Sequence, residues 1–187
     1  MELQTQRLLL RNYKESDFED YWDYVSMPNV GPRSGWAAYT DKEKAKQRLD
    51  LEISKPHQFA IVLKQENKVI GSVELLEHNK TRYTNLHLEP DAKEIGFILS
   101  EKYWGKGIMP EACKAVMRYA FETLGVNQIV IGHLKANTNS GRVQDKLGFN
   151  IVGELPNFEN WIDGKPTSYI QRLMTKKQWQ DINKKHD

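Results

Sequence analysis

Cysteine is almost absent from this sequence of 187 residues, and other absences narrow the function classes further. The single cysteine, Cys113, excludes an internal disulfide and a cysteine-rich zinc site. Lys and Arg total 27 against 25 Asp and Glu, so the chain lacks the broad positive charge of a non-specific nucleic-acid binder. Its five histidines show no spacing typical of metal ligands, and we predict no metal and no nucleic-acid partner.

Long hydrophobic runs are missing as well. The apolar run at residues 8–10 is too short for the core of a signal peptide, and no stretch approaches the length of a membrane span. We therefore predict a cytoplasmic protein with no membrane partner. The length suits one domain with a sizeable core, and we assign residues 1–187 to a single domain.

The pattern of apolar and turn residues predicts an α/β fold with a mixed sheet. The strands before residue 100 form an antiparallel meander, whereas the strand after the central helix follows a helical crossover and is expected to be parallel to the strand before it. The Pro- and Gly-rich segment 27–36 is predicted to lack regular structure. Strands are predicted at 3–12, 58–65, 69–77, 84–88, 93–99, 128–134, 151–154 and 169–174, and helices at 16–25, 40–55, 110–124, between 137 and 148, and from 175.

The stretch 94–124 organises this prediction. An apolar strand leads through a turn containing Gly105 and Gly107 to a helix predicted to begin at Pro110. Glycines bring bare backbone close to a ligand, and the first amides of a helix, with its dipole, favour an anion. We interpret the turn as a phosphate or pyrophosphate site, with a water-capped glycine turn as the alternative. Its glycine spacing matches neither the nucleoside-triphosphate loop nor the dinucleotide motif.

Four spaced blocks carry a resemblance to a known family. With them, the chain resembles the GCN5-related N-acetyltransferase superfamily and, within it, the branch that acetylates ribosomal proteins, over residues 3–179. The blocks are Glu94-Ile95-Gly96-Phe97, Tyr103-Trp104-Gly105-Lys106-Gly107, Glu111-Ala112, and Asn137-x-x-Ser140-x-Arg142-Val143-x-x-Lys146-Leu147-Gly148-Phe149.

The resemblance implies a mixed, mostly antiparallel sheet with a central splayed parallel strand pair and flanking helices. It also implies an enzyme that moves acetyl from acetyl-CoA to an amine. CoA would place its pyrophosphate on the turn and its pantetheine arm along the preceding strand, with Asn137 on the other side of the arm and with Arg142 and Lys106 near its phosphates. The implied CoA-binding residues are Phe97, Ile98, Leu99, Trp104, Gly105, Lys106, Gly107, Ile108, Met109, Asn137 and Arg142.

Two side chains are predicted to take part in the chemistry. An amine is mostly protonated at neutral pH, so transfer requires a base, a polarised carbonyl and a proton for the departing thiolate. We assign the base to Glu94, acting through water, with a structural carboxylate as the alternative and with Glu77 and His87 as second choices. Ser140 matches the hydroxyl that the family places near the sulfur and would protonate the thiolate; capping a helix is its alternative role.

The acceptor is open at this stage. We predict the N-terminal amine of a ribosomal or other protein, and the alternatives are a small-molecule amine, such as an antibiotic or polyamine, and a non-catalytic CoA-binding regulatory protein. Specificity is expected in segments 27–39 and 157–166, whose aromatic residues include Trp36, Phe158 and Trp161. The sequence leaves the oligomeric state open between a monomer and a homodimer, and it does not show whether the enzyme prefers an acetyl group or a longer acyl group.

Overall fold

The computed structural model describes residues 1–160 and 162–184, and in this part of the chain eight strands form one sheet. The sheet order is β1-β2-β3-β4-β5-β6-β8-β7, where β5 and β6 form the parallel pair, and this confirms the predicted fold class. The strands are β1 (Glu2–Gln4), β2 (Leu8–Arg11), β3 (Gln58–Leu63), β4 (Lys68–Glu77), β5 (Lys93–Leu99), β6 (Gln128–Leu134), β7 (Asn150–Glu159) and β8 (Pro166–Thr175). The helices are α1 (Phe18–Val25), α2 (Val30–Arg33), α3 (Lys42–Ser54), α4 (Ile108–Arg118), α5 (Thr138–Leu147) and α6 (Lys176–Asn183).

The chain consists of two compact units. Unit 1 comprises Met1–Glu74 and Phe97–Ala115, and unit 2 comprises Leu75–Gly96 and Val116–Asp187. Three elements, β4, β5 and α4, begin in one unit and end in the other. None of the helices described is long and apolar enough to cross a membrane. The assignment of the whole chain to one domain stays a prediction.

Unit 1 has a core rich in tyrosine. Tyr13, Tyr21 and Tyr24 are all at most 5% exposed and pack edge to face around α1. The helix that packs beside them, α3, is capped by the Asp41 carboxylate, which accepts hydrogen bonds from the amides of Glu43 and Lys44; the sequence predicted a helix start at residue 40. Because Asp41 caps these amides, α3 begins at Lys42.

Unit 2 contains the parallel pair. Its ladder consists of two register pairs, Lys93 with Ile129 and Glu94 with Val130. From Ile95 onward, β5 forms no ladder pair with β6 among the described residues. The pantetheine contact that the family resemblance implied for residues 97–99 stays a prediction. After β6, helix α5 ends at Gly148, whose φ of 83° makes the left-handed stop that the sequence predicted.

Several predicted boundaries are wrong; the strands predicted at 151–154 and 169–174, for example, extend over Asn150–Glu159 and Pro166–Thr175. The strand predicted at 3–12 is two strands, because the Thr5 hydroxyl accepts from the Leu8 amide and turns the chain back on itself. Residues 84–88 form turns instead of a strand, since the Asn85 amide group pairs with the side chain of Gln171. Segment 27–36 contains the single helical turn α2, and α4 begins at Ile108, two residues before the predicted start.

Helix α4 does not end as an ordinary α-helix. Residues Tyr119–Thr123 form a π-helical turn, in which the amide of Leu124 donates to the carbonyl of Tyr119 at 3.0 Å. Within this turn Phe121 is fully buried and stacks on Trp179 of α6, with ring centroids 5.6 Å apart. The helical segment ends within one residue of the predicted end at 124, but its last turn is wider than an α-helical turn.

Candidate active site

The turn between β5 and α4 lies in unit 1 and has the backbone geometry of an anion site. Gly105 and Gly107 adopt φ angles of 76° and 72°. Among the described residues, the amides of residues 105–109 donate to no protein acceptor. Unpaired amides at the positive end of an eleven-residue helix are what a phosphate group needs.

The bulky side chains of this turn face away from the exposed backbone. Ile108 and Met109 are each 3% exposed, so their side chains belong to the interior of unit 1. The Trp104 indole donates to the carbonyl of Leu99 at 2.9 Å, which fixes the turn to the strand before it. The Lys106 ammonium lies 5.1 Å from the ring centre of Tyr103. The turn is therefore held by its large residues and open at its glycines.

Arg7 is a neighbour of this turn that sequence reasoning missed. Its guanidinium donates to the Lys106 carbonyl at 2.9 Å and to the Glu111 carboxylate at 2.6 Å. A side-chain carbon at Gly107 would lie 3.7 Å from the same guanidinium. Arg7 thus brings a positive charge beside the unpaired amides. Nothing local in the sequence could reveal it, because its partners are about a hundred positions away.

The end of β5 joins this turn to a cavity of about 130 Å³, whose lining lies wholly in unit 1. Phe97 and Ile98 are half-buried and form part of its wall. Opposite Ile98, strand β4 has Gly71, where a side chain would clash with the Ile98 carbonyl oxygen. The other aromatic residues of the wall are Tyr13, Tyr21, Tyr24, Trp36 and Tyr39.

The polar wall of the cavity is acidic. The Gln58 side-chain oxygen is buried and has no hydrogen-bond partner, and its register partner on β4 is Glu74. Glu52 is paired with Arg48 at 2.5 Å and with Lys55 at 3.0 Å. Gln58 and Glu74 were not predicted as site residues; the only signal was a polar residue at the head of an otherwise apolar strand.

The predicted specificity segments contribute unequally. Trp36 and Tyr39, from segment 27–39, both line the cavity, with ring centroids 5.5 Å apart. Phe158, from segment 157–166, stacks on Tyr169 in unit 2 at 5.0 Å. Trp161 lies outside the described residues.

Glu94, the predicted base, is a buried carboxylate of unit 2 with several donors. It accepts from the Asn79 amide at 3.0 Å and from the Tyr83 hydroxyl at 3.2 Å, and it forms an ion pair with Arg82 at 3.0 Å. These contacts hold the Glu94 side chain in place, which favours the structural alternative. Of the second choices, Glu77 is paired with Lys93, whose hydrogen bond lowers the pKa of Glu77, and His87 is exposed.

The start of α5 holds the remaining predicted residues. Asn137 caps the helix, because its side-chain oxygen accepts from the Ser140 amide at 3.2 Å. Ser140 is therefore not the cap, and its hydroxyl instead accepts from the Gln144 side chain at 3.0 Å. Arg142 is exposed and forms no ion pair within the part of the chain that the structure describes.

A family model described as "Acetyltransferase (GNAT) domain" matches residues 7–150. The chain belongs to the GNAT acetyltransferase family. It is an acetyl-CoA-dependent N-acetyltransferase, as the sequence resemblance implied. The family uses acetyl-CoA, and the open strand edge and the unpaired amides of residues 105–109 fit such a co-substrate.

Three similar proteins illustrate the breadth of this family. The "Uncharacterized N-acetyltransferase p20" of Bacillus licheniformis is 28% identical over 84% of this chain and 86% of its own. The spermidine N(1)-acetyltransferase of Escherichia coli is 29% identical over 70% of this chain and 65% of its own. The crystal structure of the ribosomal-protein-S5-alanine acetyltransferase from Vibrio fischeri has a TM-score of 0.72 and 25% identity, over 96% of this chain and 98% of that one.

The predicted site residues of this GNAT enzyme fall into two groups. Unit 1 brings together the strand end 97–99, the turn 104–109 and the acidic cavity. Unit 2 holds Glu94, Asn137, Ser140 and Arg142. The roles of both groups stay predictions. Residues that sequence reasoning missed are Arg7, Gln58, Glu74 and Gln144.

Proposed function

We propose that this GNAT enzyme acetylates the N-terminal amine of a peptide or protein whose first residue is small. The observation that carries the proposal is the acidic cavity beside the end of β5. Its charged lining residues are Glu52, Glu74 and Arg48, and Glu52 is paired with both Arg48 and Lys55. The two carboxylates of the lining suit one acceptor ammonium group.

The size and chemistry of the cavity support a small acceptor end. A volume of about 130 Å³ admits an amine with a small side chain, since a cavity of about 150 Å³ holds a benzene molecule. The unpaired oxygen of Gln58 offers an acceptor to an N–H group of the substrate. The surrounding tyrosine and tryptophan rings provide faces that attract a cation.

A polyamine is the second candidate, because a similar protein is a spermidine N(1)-acetyltransferase. A polyamine carries further positive charges that this cavity lining does not match. The structural relative named for alanine of ribosomal protein S5 supports the N-terminal acceptor instead. The charge of the lining makes us favour a single ammonium group.

We assign roles to the residues accordingly. The amides of residues 105–109, with Arg7 and Lys106 beside them, bind the CoA pyrophosphate, and the open edge of residues 97–99 binds the pantetheine arm. Glu74 holds the ammonium group and accepts its proton, because its carboxylate lines the cavity and it is the register partner of Gln58, whose side-chain oxygen also lines the cavity. Ser140 protonates the departing thiolate.

The test is acceptor-dependent release of CoA thiol, measured with peptides that differ only in their first residue. We expect peptides that begin with Ala or Ser to exceed Leu peptides and spermidine by at least about tenfold in kcat/KM, with the acetyl group on the N-terminus by mass spectrometry. An N-terminally blocked peptide with an internal lysine is the control. Preference for spermidine would establish a polyamine acetyltransferase instead. CoA binding by calorimetry without any release would favour the regulatory reading, and no binding would remove the turn as a CoA site.

A further inference from the structure

The Ser140 hydroxyl belongs to a buried chain of polar groups in unit 2. Gln144, one turn later on α5, has no exposed surface, and its side-chain nitrogen lies 3.0 Å from Ser140 Oγ. Its side-chain oxygen lies 2.9 Å from Nδ1 of His133 on β6. Neither Gln144 nor His133 has a role in the acetyl transfer described so far. A fully buried amide between an imidazole and a hydroxyl therefore needs an explanation.

The direction of each hydrogen bond follows from a backbone carbonyl. Gln144 Nε2 also lies 3.4 Å from the carbonyl oxygen of Gly132, which can only accept. If the amide group were rotated by half a turn, two acceptor oxygens would face each other. The amide nitrogen must therefore point to Gly132 and Ser140, and the serine oxygen must accept from it.

His133 completes the arrangement from the other end. Gln144 Oε1 accepts, so His133 Nδ1 carries a hydrogen. Burial lowers the pKa of His133, despite the hydrogen bond from its ring to Gln144, and keeps the ring neutral at pH 7. A side-chain carbon at Gly141 would lie 3.0 Å from His133 Nε2, so this nitrogen faces the α5 backbone. The ring is thus held as the tautomer with hydrogen on Nδ1.

We propose that Gln144 is a positioning residue that directs the Ser140 hydroxyl hydrogen away from itself and toward the departing CoA thiolate, with His133 fixing the orientation of the amide. The inference rests on the proposed role of Ser140. The neutral amine nitrogen bonds to the thioester carbon, the carbon–sulfur bond breaks, and its electron pair stays on sulfur. Sulfur takes the hydrogen of Ser140, and the proton that nitrogen loses restores the serine. The products are an amide and CoA thiol.

The test is Gln144→Glu, which reverses the direction of the hydrogen bond to Ser140, because the carboxylate oxygens would accept the Ser140 hydrogen. We expect kcat to fall about tenfold while KM for acetyl-CoA is unchanged, and no further fall when the same change is made in a Ser140→Ala background. The matched control is Gln171→Glu, another fully buried glutamine, which should lower thermal stability and leave kcat unchanged.

Two results would overturn the inference and leave acetyl transfer intact. One is an equal fall in kcat for Gln144→Glu with and without Ser140. The other is a neutral His133 ring with its hydrogen on Nε2, which would contradict the proposed orientation. The measurement needs no substrate: the ¹⁵N chemical shifts of the ring, assigned by their loss in His133→Gln, should show the hydrogen on Nδ1. A wild-type enzyme that transfers acetyl to no amine would instead overturn the proposed function, and the inference with it.

Discussion

The guanidinium of Arg7 donates to the carboxylate of Glu111 at 2.6 Å, although the two residues are 104 positions apart. The Thr5 hydroxyl and the Arg7 amide donate to the same carboxylate. Together they attach the turn before β2 to the first turn of α4, where the unpaired amides lie. Because the contact holds the helix start that we propose for CoA, its loss should affect both stability and co-substrate affinity.

We predict that Glu111→Gln weakens the acid sensitivity of the protein. Burial would raise the pKa of Glu111, but hydrogen bonds from Thr5 and Arg7 outweigh it and lower this pKa below 4.5. The carboxylate therefore stabilises the fold above pH 4.5, and this stabilisation is lost as the pH falls below that value. Its size is about 1 kcal/mol, because Arg7 is partly exposed.

Denaturant unfolding between pH 3 and pH 6 measures this effect. The free energy of unfolding should fall more for the wild type than for Glu111→Gln over the acidic half of that range. Parallel curves of this free energy against pH would show that Glu111 is not the source of the acid sensitivity. Glu89→Gln removes an exposed carboxylate and serves as the control.

We predict that Gly107→Ala weakens CoA binding more than it weakens the fold. The φ of 72° costs an alanine about 1–2 kcal/mol, and the new methyl group lies beside the unpaired amides. Gly125→Ala is the matched control, because its φ is 76° and nothing lies within 4 Å of its added carbon. Both variants should lose similar stability, but only Gly107→Ala should lose about tenfold in CoA affinity by calorimetry. Equal affinity for the two variants would argue against a pyrophosphate on the turn.

We predict that Gln58→Met separates stability from acceptor recognition. The change removes a buried oxygen that has no partner, so the free energy of unfolding should stay level or rise by about 1 kcal/mol. KM for the amine should rise about tenfold without a change in KM for acetyl-CoA. Gln171→Met is the contrasting variant, because Gln171 and Asn85 exchange hydrogen bonds at 3.0 and 2.8 Å and their loss should destabilise the fold. An unaltered amine KM would show that the cavity does not bind the acceptor.

We predict that Glu94→Gln acts mainly on stability. Replacing this carboxylate leaves Arg82 without its ion-pair partner in a mostly buried setting, at a cost of about 3 kcal/mol. Thermal unfolding and the pH profile of kcat/KM, measured on the same sample, separate the two roles proposed for Glu94. Glu94 would be established as the base if the variant stayed stable, lost activity about a hundredfold, and no longer showed the acidic limb of the pH profile of kcat/KM.

The sequence predicts the local elements of the site better than its assembly. The strand, the glycine turn and the helix after it are consecutive, so apolar spacing and two glycines are enough to predict them. Segment 84–88 fails because its partner Gln171 is distant in the chain and replaces strand pairing with side-chain pairing.

The cavity could not be predicted for a related reason. Its four tyrosines come from α1 and from the segments before and after it, and three of them, Tyr13, Tyr21 and Tyr24, are buried like ordinary core residues. The unpaired oxygen of Gln58 is a property of the packed structure, because any glutamine in a sequence has the same groups. Residue type predicts which chemistry is possible, whereas burial decides which groups are left without partners.

The π-helical turn at Tyr119–Thr123 is equivalent to one residue inserted into a regular helix. Each residue of an α-helix advances the next side chain by about 100° around the axis, and the wider turn accommodates the extra residue without passing that rotation on to the residues that follow. Phe121, which stacks on Trp179, lies within the wider turn. A one-residue deletion here would replace the wide turn with regular winding and move Phe121, so it should destabilise the fold more than a point substitution in the same turn.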